Sequence, residues 1–281
     1  MTNIADETII ATAIAAARAA GQLARDAFMA GQLGRPPDIE EKDGYFDIVT
    51  ATDREAERVA STIIMDQIPD SRILGEETGW RGTGGTTWII DPIDGTSNFA
   101  SGLPFFCVSL GAFDAQNQPV CGVIYDPIRE ELFLSSKDGL TLNGKPVRCA
   151  AFGRTDRDVE LLTNMPHEGA RPTPGQLAQF ADLVESFRGV RRLGSCALQL
   201  AYVAVGRVAV GYDEKFQMWD IAAGFQLVVA GGGQLLAWDA DGRAIAEPMR
   251  NLSKIRRFLV ASQHFDANSS AATKQGSRPG P

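Results

Sequence analysis

Four places along the chain pair acidic side chains with short segments that could aim them at one point. They are Thr50-Ala-Thr-Asp53, Gly75-Glu76-Glu77, Asp91-Pro-Ile-Asp94-Gly-Thr96 and Trp219-Asp220. In the third, the apolar run Trp88-Ile-Ile delivers one carboxylate at its end and a turn delivers another three residues later. Two carboxylates so close repel unless a cation lies between them, and a cluster of Asp and Glu without His or Cys suits magnesium, a hard ion that prefers oxygen. Gly95 and Thr96 add to the same turn. If a helix starts there, its free N–H groups can bind a phosphate, Gly95 lets the backbone come close, and the Thr96 hydroxyl can orient a water. Taken singly, Asp53 and Asp220 fit equally well as acids that favour a helix's first turn, and Glu76-Glu77 as a solvated loop. Their joint presence is what points to a metal site.

Composition removes the competing chemistries. There are only two histidines, and His264 borders the C-terminal segment, so a Ser-His-Asp triad or a histidine-rich zinc site would rest on His167 alone. Cys107, Cys121, Cys149 and Cys196 are far apart with no C-x-x-C pair, and read as buried free thiols. Net charge is −8, with no basic run and no interleaving of aromatic and basic residues, which argues against a nucleic-acid groove. The opening segment lacks the basic start of a signal peptide, and no stretch reaches the roughly 20 apolar residues of a membrane helix, which predicts a cytoplasmic protein without membrane contact.

The elements that must position these residues follow from periodicity. Residues 5 to 30 are Ala-rich and read as a helix, and 31 to 46 as an exposed loop. A second helix begins with Thr52-x-x-Glu55 as a capping box and buries Ala56, Val59, Ala60, Ile63 and Ile64, with Pro69 after its end. A β-type run at 86 to 91 is stopped by Pro92, and strands at 106–113, 120–125 and 131–135 with short connections make an antiparallel meander. From about residue 155 the pattern alternates. Strands are expected near 159–163, 207–212, 234–238 and 257–261, and helices at 175–186, 195–205 and 219–230. Gly231, Gly232 and Gly233 follow a helix and so read as a stop, not a phosphate cradle. The expected division is 1–150 as an N-terminal subdomain carrying metal-binding motifs, 151–264 as a C-terminal α/β subdomain completing the site, and 265–281 as a disordered tail.

The chain resembles the inositol monophosphatase family of magnesium-dependent, lithium-sensitive phosphatases through GEE at 75–77, WIIDPIDGTSNF at 88–99 and WDIAAG at 219–224. The resemblance extends from about Lys42 to Ser262, and DPIDGT joined to a distant WDIAAG is a specific combination. It implies a layered αβαβα sandwich, with an antiparallel N-terminal sheet and a smaller α/β C-terminal part, and a homodimer.

Residue by residue, the resemblance implies that Glu76, Asp91 and the Ile93 carbonyl hold one magnesium ion, that Asp91, Asp94 and Asp220 hold a second, and that Glu76 helps a third. Gly95 and Thr96 then contact phosphate, Thr96 and Glu76 orient the attacking water, and Asp53 supports them. Lys42 resembles a mobile-loop lysine, and it reads equally well as an ordinary surface lysine. Gly194, Ser195, Cys196 and Asp213 match positions that face the alcohol part of the substrate. Phosphate monoesters are among the slowest esters to hydrolyse unaided, so neutralising charge is the central task, and a metal pair can do it without a covalent nucleophile.

The departures from the family pattern concern that alcohol. Where relatives carry a glutamate seven residues before the WD aspartate, this chain has Asp213, one methylene shorter, followed by Glu214. The substrate expected is a small polyol phosphate, inositol 1-phosphate first, with histidinol phosphate, fructose 1,6-bisphosphate and adenosine 3′,5′-bisphosphate as alternatives on the same kind of metal site. Some bacterial members also act as partners of the transcription machinery, which keeps a binding role open beside the enzyme.

Overall fold

A computed structural model of the chain describes residues 5–34, 38–42, 48–169 and 171–278. Helix α1 (Asp6–Gln32) carries a stripe of Ile9, Ala13, Ala16, Ala17, Ala20, Ala24 and Phe28 buried at three- and four-residue spacing. It packs with α2 (Ala51–Gln67), whose Ala56, Ala60 and Ile64 are fully buried while Val59 and Ile63 are only partly covered. The small alanines let these two helices lie close together on one face of the larger sheet. Strands β1 (Ile39–Glu41) and β2 (Ile48–Thr50) pair antiparallel just before α2. The expected loop at 31–46 therefore contains the end of α1 and an exposed strand, and its residues 35–37 and 43–46 lie outside the described residues.

The larger sheet comprises β3 (Ser71–Gly75), β4 (Gly79–Gly82), β5 (Thr86–Asp94), β6 (Cys107–Phe113), β7 (Pro119–Asp126), β8 (Glu131–Ser136), β9 (Gly139–Leu142) and β10 (Lys145–Pro146). Its eight strands lie in the order β10-β9-β8-β7-β6-β5-β3-β4. The meander from β5 to β10 is antiparallel as expected, but β3 runs parallel to β5, so the sheet is mixed. Alternation along β5 sends Trp88 and Ile90 to the α1/α2 side and Ile89 to the opposite side.

The smaller sheet has the order β12-β11-β13-β15-β14. It is built from β11 (Glu160–Leu162), β12 (Gly189–Arg191), β13 (Val210–Asp213), β14 (Gln234–Trp238) and β15 (Arg257–Ala261), with β11 parallel to both its neighbours and β15 antiparallel to both of its own. Between the sheets lie α5 (Cys196–Ala204) and α6 (Met218–Ala230), almost wholly apolar because both faces are covered. At Gly224 a Cβ would fall 2.4 Å from Leu200 Cδ1 and 2.6 Å from Leu200 Cβ, so the glycine sets how near α5 and α6 can come. On the outer face of the smaller sheet sit α4 (Pro174–Ser186) and α7 (Ala271–Gly276). The layers run α, β, α, β, α, the sandwich the resemblance implies.

Three expectations change. The capping box of α2 is Thr50 with Asp53, not Thr52 with Glu55: the Asp53 carboxylate reaches back to the Thr50 amide at 2.9 Å, so the helix begins at Ala51. Pro92 does not end its strand. β5 continues to Asp94 through an irregularity in its pairing with β6 between Asp91 and Asp94, where a missing N–H is tolerated. The segment after 265 is no solvated tail as far as residue 278. Phe265, Ala267 and Ala272 are buried against the smaller sheet's outer core, and Ser270 caps α7 by accepting the Ala272 N–H at 3.2 Å. Its alanines and glycine bury little area each, so no apolar periodicity marks them.

Candidate active site

Glu76 and Asp91 emerge side by side because β3 and β5 are parallel neighbours, with Gly75 opposite Ile90 in register. The Glu76 N–H donates to the Ile90 carbonyl at 3.2 Å. Asp91 leaves β5 on the Ile89 side, toward α5 and α6, and its Oδ1 accepts the Ile93 N–H at 3.0 Å. The irregularity that follows turns Asp94 to the same side. There it meets the start of α5: Oδ1 accepts the Cys196 N–H at 3.1 Å, and Oδ2 accepts the Ala197 N–H at 2.7 Å and the Ser195 hydroxyl. Asp220, in the first turn of α6, caps its own helix by accepting the Gln217 N–H at 2.7 Å. One oxygen each from Asp91, Asp94 and Asp220 lie within 4.8 Å of one another.

Such a cluster is costly without a cation. Burial first, then the charges of Glu76, Asp94 and Asp220, pushes the Asp91 carboxyl well above the usual carboxylate range. Asp220 is raised the same way, by burial and then by Asp94. Asp94 is also raised by burial, but the Ser195 hydroxyl and the α5 amides oppose the shift. Glu76 is pushed up to about 7, chiefly by burial, with Lys42 opposing. An enclosed set of mutually repelling oxygen donors fits a hard divalent ion. Asp91, Asp94 and Asp220 form the tight group. Glu76 stands beside them through its strand pairing, and the Ile93 carbonyl oxygen lies 3.0 Å from Thr96 Oγ1.

The turn after Asp94 is held from behind. Gly95 has φ +100°, and a Cβ there would sit 3.1 Å from both the Phe105 carbonyl oxygen and Ser195 Cβ, so only glycine fits. Helix α3 (Thr96–Ser101) follows, with Phe99 packed against Phe28 and Phe106 at ring-centroid separations of 6.1 and 5.3 Å. Thr96 Oγ1 lies 3.0 Å from Asp53 Oδ1, and the other Asp53 oxygen accepts the Thr50 amide and hydroxyl at 2.9 and 2.5 Å. Asp53 is thus both the helix cap and the partner of Thr96, two roles that remained alternatives in the sequence. Asn98 Nδ2 donates to the Phe105 and Leu193 carbonyls at 2.8 and 2.7 Å, tying α3 to the segment that leads into Gly194.

Lys42 reaches this site. Its Nζ lies 2.9 Å from Glu76 Oε1 and 2.5 Å from Glu77 Oε1. Burial works against its charge, but the two glutamates outweigh it and raise its pKa. Glu57 has a part that sequence reasoning missed. Fully buried, it accepts the Glu77 N–H at 2.7 Å and the Thr78 hydroxyl, which anchors the loop bearing Glu76. The available signal was its place four residues after Asp53, on the buried face of α2.

Near the expected alcohol side, the Ser195 hydroxyl and the Cys196 amide are engaged with Asp94. Asp213 is 3% exposed, and its oxygens accept the Asn164 N–H at 3.1 Å and the Glu214 N–H at 3.0 Å, while His167 Nε2 lies 2.8 Å away without an aligned hydrogen bond. Asn164 Oδ1 in turn accepts the Gly194 N–H at 3.1 Å and Gln199 Nε2 at 2.7 Å. Asn164 was not singled out from the sequence, and His167 was weighed there only as a lone histidine, since lone polar residues in a loop carry no pattern. All four cysteines are buried and free, as read from their spacing.

The sequence profile of the Inositol monophosphatase family matches residues 5–275. The chain belongs to this family. It is 34% identical over 251 residues to the inositol-1-monophosphatase of Synechocystis sp., covering 86% of this chain and 87% of that one. It is 37% identical over 263 residues to the Nus factor SuhB of Haemophilus influenzae, covering 89% and 96%. Among solved structures, SuhB of Bartonella henselae superposes with a TM-score of 0.78 at 30% identity, covering 91% of this chain and 94% of that one. The inositol monophosphatase of Anabaena superposes at 0.75 with 31% identity, covering 92% of each. With its acidic cluster intact, the chain is a metal-dependent phosphatase of the inositol monophosphatase family. Among the described residues, no helix is long and apolar enough to cross a membrane.

Proposed function

We propose that this phosphatase hydrolyses a polyol phosphate, inositol 1-phosphate in the first instance, with magnesium held by Glu76, Asp91, Asp94, Asp220 and the Ile93 carbonyl. The convergence of Asp91, Asp94 and Asp220 within 4.8 Å, beside the Thr96–Asp53 pair, carries the reading. When bound, magnesium supplies charge neutralisation for the phosphoryl group and the departing oxygen. The chain's own groups do the rest. Asp53 takes the Thr96 hydroxyl proton in a hydrogen bond, which leaves an acceptor lone pair on Thr96 Oγ1 to align a water. Glu76, beside the cluster through the β3–β5 pairing, accepts that water's proton. Gly95 opens the backbone for phosphate, and Lys42 adds a positive charge at the rim.

Preference for a polyol rests on the wall that Gly194 forms with the Asn164 segment, while Ser195 and Cys196 support it from behind through Asp94. Asp213 serves it by ordering the Asn164–His167 segment, which forms the wall facing the substrate's hydroxyls. The homodimer belongs to the same proposal, as does a cytoplasmic location. Phosphate release from inositol 1-phosphate tests the reading, against fructose 1,6-bisphosphate, histidinol phosphate and adenosine 3′,5′-bisphosphate, each with magnesium and with chelator. Release as fast in excess chelator, or none from any ester with magnesium, would refute it. Similarity to the Haemophilus Nus factor favours a second reading, in which the chain also binds the transcription machinery. Co-purification of a catalytically dead variant with transcription proteins separates the two.

A further inference from the structure

We infer that Asn98 and Asn164 are a pair of positioning residues that grip one peptide unit, Leu193–Gly194, from its two edges and so set the gap between the phosphate turn and the wall that meets the substrate's alcohol; the inference rests on the polyol reading above. Asn98 Nδ2 donates to the Leu193 carbonyl at 2.7 Å. The N–H of the same peptide, that of Gly194, donates to Asn164 Oδ1 at 3.1 Å. This peptide is trans, so its carbonyl and N–H point in opposite directions and the two asparagines stand on opposite sides of it. The orientation of each side-chain amide follows from its partners. Two carbonyls, of Phe105 and Leu193, face Asn98 and require its NH₂, and a backbone N–H faces Asn164 and requires its oxygen.

The two grips come from different parts of the fold. Asn98 lies on α3, two residues after Thr96, and moves with the phosphate turn. Asn164 follows β11 of the smaller sheet, where its N–H donates to Asp213 at 3.1 Å and its Oδ1 also accepts Nε2 of Gln199, a buried residue of α5, at 2.7 Å. Gly194 is exposed and sits at φ +74°, a backbone with no side chain of its own to hold it in place. Space on the phosphate side is already taken. A Cβ on Gly194 would fall 3.0 Å from Asn98 Nδ2, and one on Gly95 would fall 3.2 Å from the Gly194 carbonyl oxygen. Any rotation of the peptide therefore shifts the wall against the phosphate turn. A polyol phosphate has to satisfy the metals with its phosphate and the wall with its hydroxyls at once, whereas an aryl phosphate has no hydroxyls for the wall, so the gap bears on the first ester and not on the second.

Steady-state kinetics of Asn98→Ala, Asn164→Ala and the double variant in magnesium test this, with inositol 1-phosphate and 4-nitrophenyl phosphate as substrates. The ratio of the two kcat/KM values should fall about tenfold in either single variant, chiefly through a raised KM for inositol 1-phosphate. Either loss releases the same peptide, so the double variant should fall by about the same tenfold and not by about a hundredfold. Asn164→Asp still offers the Gly194 N–H an acceptor and should keep most of the ratio. Asn98→Asp has the shape of asparagine but no donor, and should lose the ratio as Asn98→Ala does. The rise in melting temperature on adding magnesium reports the fold and the metal site of each variant, and if those at Asn98 fail to fold, the Ala and Asp variants at Asn164 still decide. An unchanged ratio in Asn164→Ala, losses that multiply in the double variant, or selectivity kept by Asn98→Asp overturns the clamp. A wild type with no preference for inositol 1-phosphate overturns the polyol reading itself, and this inference with it.

Discussion

Replacing Asp91 and Asp94 by asparagine, one at a time, should move the stability of the metal-free protein in opposite directions although both changes abolish turnover. Asp91 has burial and four neighbouring carboxylates raising its pKa, and its Oδ1 accepts a single backbone amide that an asparagine oxygen serves as well. The neutral amide removes like-charge repulsion, which between close charges at an effective dielectric of roughly 20 amounts to a few kcal/mol, here on the order of 2. Asp94 is different because both of its oxygens accept N–H groups from the start of α5. An asparagine offers one oxygen, and its amide nitrogen must then face an N–H donor. A buried donor left without an acceptor costs about 1–3 kcal/mol, and the charge that favoured the helix start is lost as well. The net effect is destabilisation by about 1 kcal/mol after repulsion is relieved.

At roughly 2 °C per kcal/mol for a chain of this size, Asp91→Asn should melt about 4 °C above wild type in EDTA and Asp94→Asn about 2 °C below it. Thermal unfolding followed by circular dichroism at pH 8 measures both. In excess magnesium the wild type gains stability by mass action, and the two variants should gain far less. If Asp94→Asn melts at or above Asp91→Asn in chelator, the helix start is not what holds Asp94 and the account of the cluster is wrong.

The remaining predictions concern the loop, the packing and the substrate wall. Because the folded protein raises Glu76 from 4.5 to about 7, it binds more protons than the unfolded chain in that window, so stability falls as pH rises through it. Chelated protein should lose up to about 3 kcal/mol between those pH values in urea titrations, and Glu76→Gln should flatten the slope. Glu57→Ala frees the Glu77 N–H and Thr78 hydroxyl and should raise the magnesium needed for half-maximal activity by about tenfold; an unchanged requirement would show that the loop needs no anchor. Gly224→Ala drives a methyl into Leu200 and should cost about 1–3 kcal/mol in urea denaturation. Asp213→Ala should weaken turnover of inositol 1-phosphate while sparing 4-nitrophenyl phosphate, and equal loss of both would place Asp213 in the catalytic framework or the fold.

Much of the site was legible because its residues are bound to local backbone geometry. Asp91, Asp94, Gly95 and Thr96 sit in one strand-turn-helix unit, where spacing alone brings two carboxylates and a glycine together. The longer helices and the strands of the β5–β8 meander followed from periodicity for the same reason, since the faces of α1, β5 and α6 are set by neighbours three, four or two residues away. The reading stopped at contacts made across the chain. β3 is short and its parallel pairing with β5 joins segments of opposite context, so Glu76 looked like part of a polar loop. The value of Glu57 depends on a loop some twenty residues later, and the role of Ser195 and Cys196 on an aspartate about a hundred residues earlier. The covering of α7 likewise required the outer face of the smaller sheet, which no local pattern in 265–278 foretells.

The sequence by itself therefore determined which acidic residues could gather at a metal and where the longer elements lie, because both are properties of short stretches. Only the tertiary structure decided which groups are already occupied. Asp94 is spoken for by α5, Asp213 by Asn164 and Glu214, and Glu76 by Lys42. A hydrogen-bonding group buried in a fold takes the partners that packing brings to it, and packing is settled by the whole chain at once.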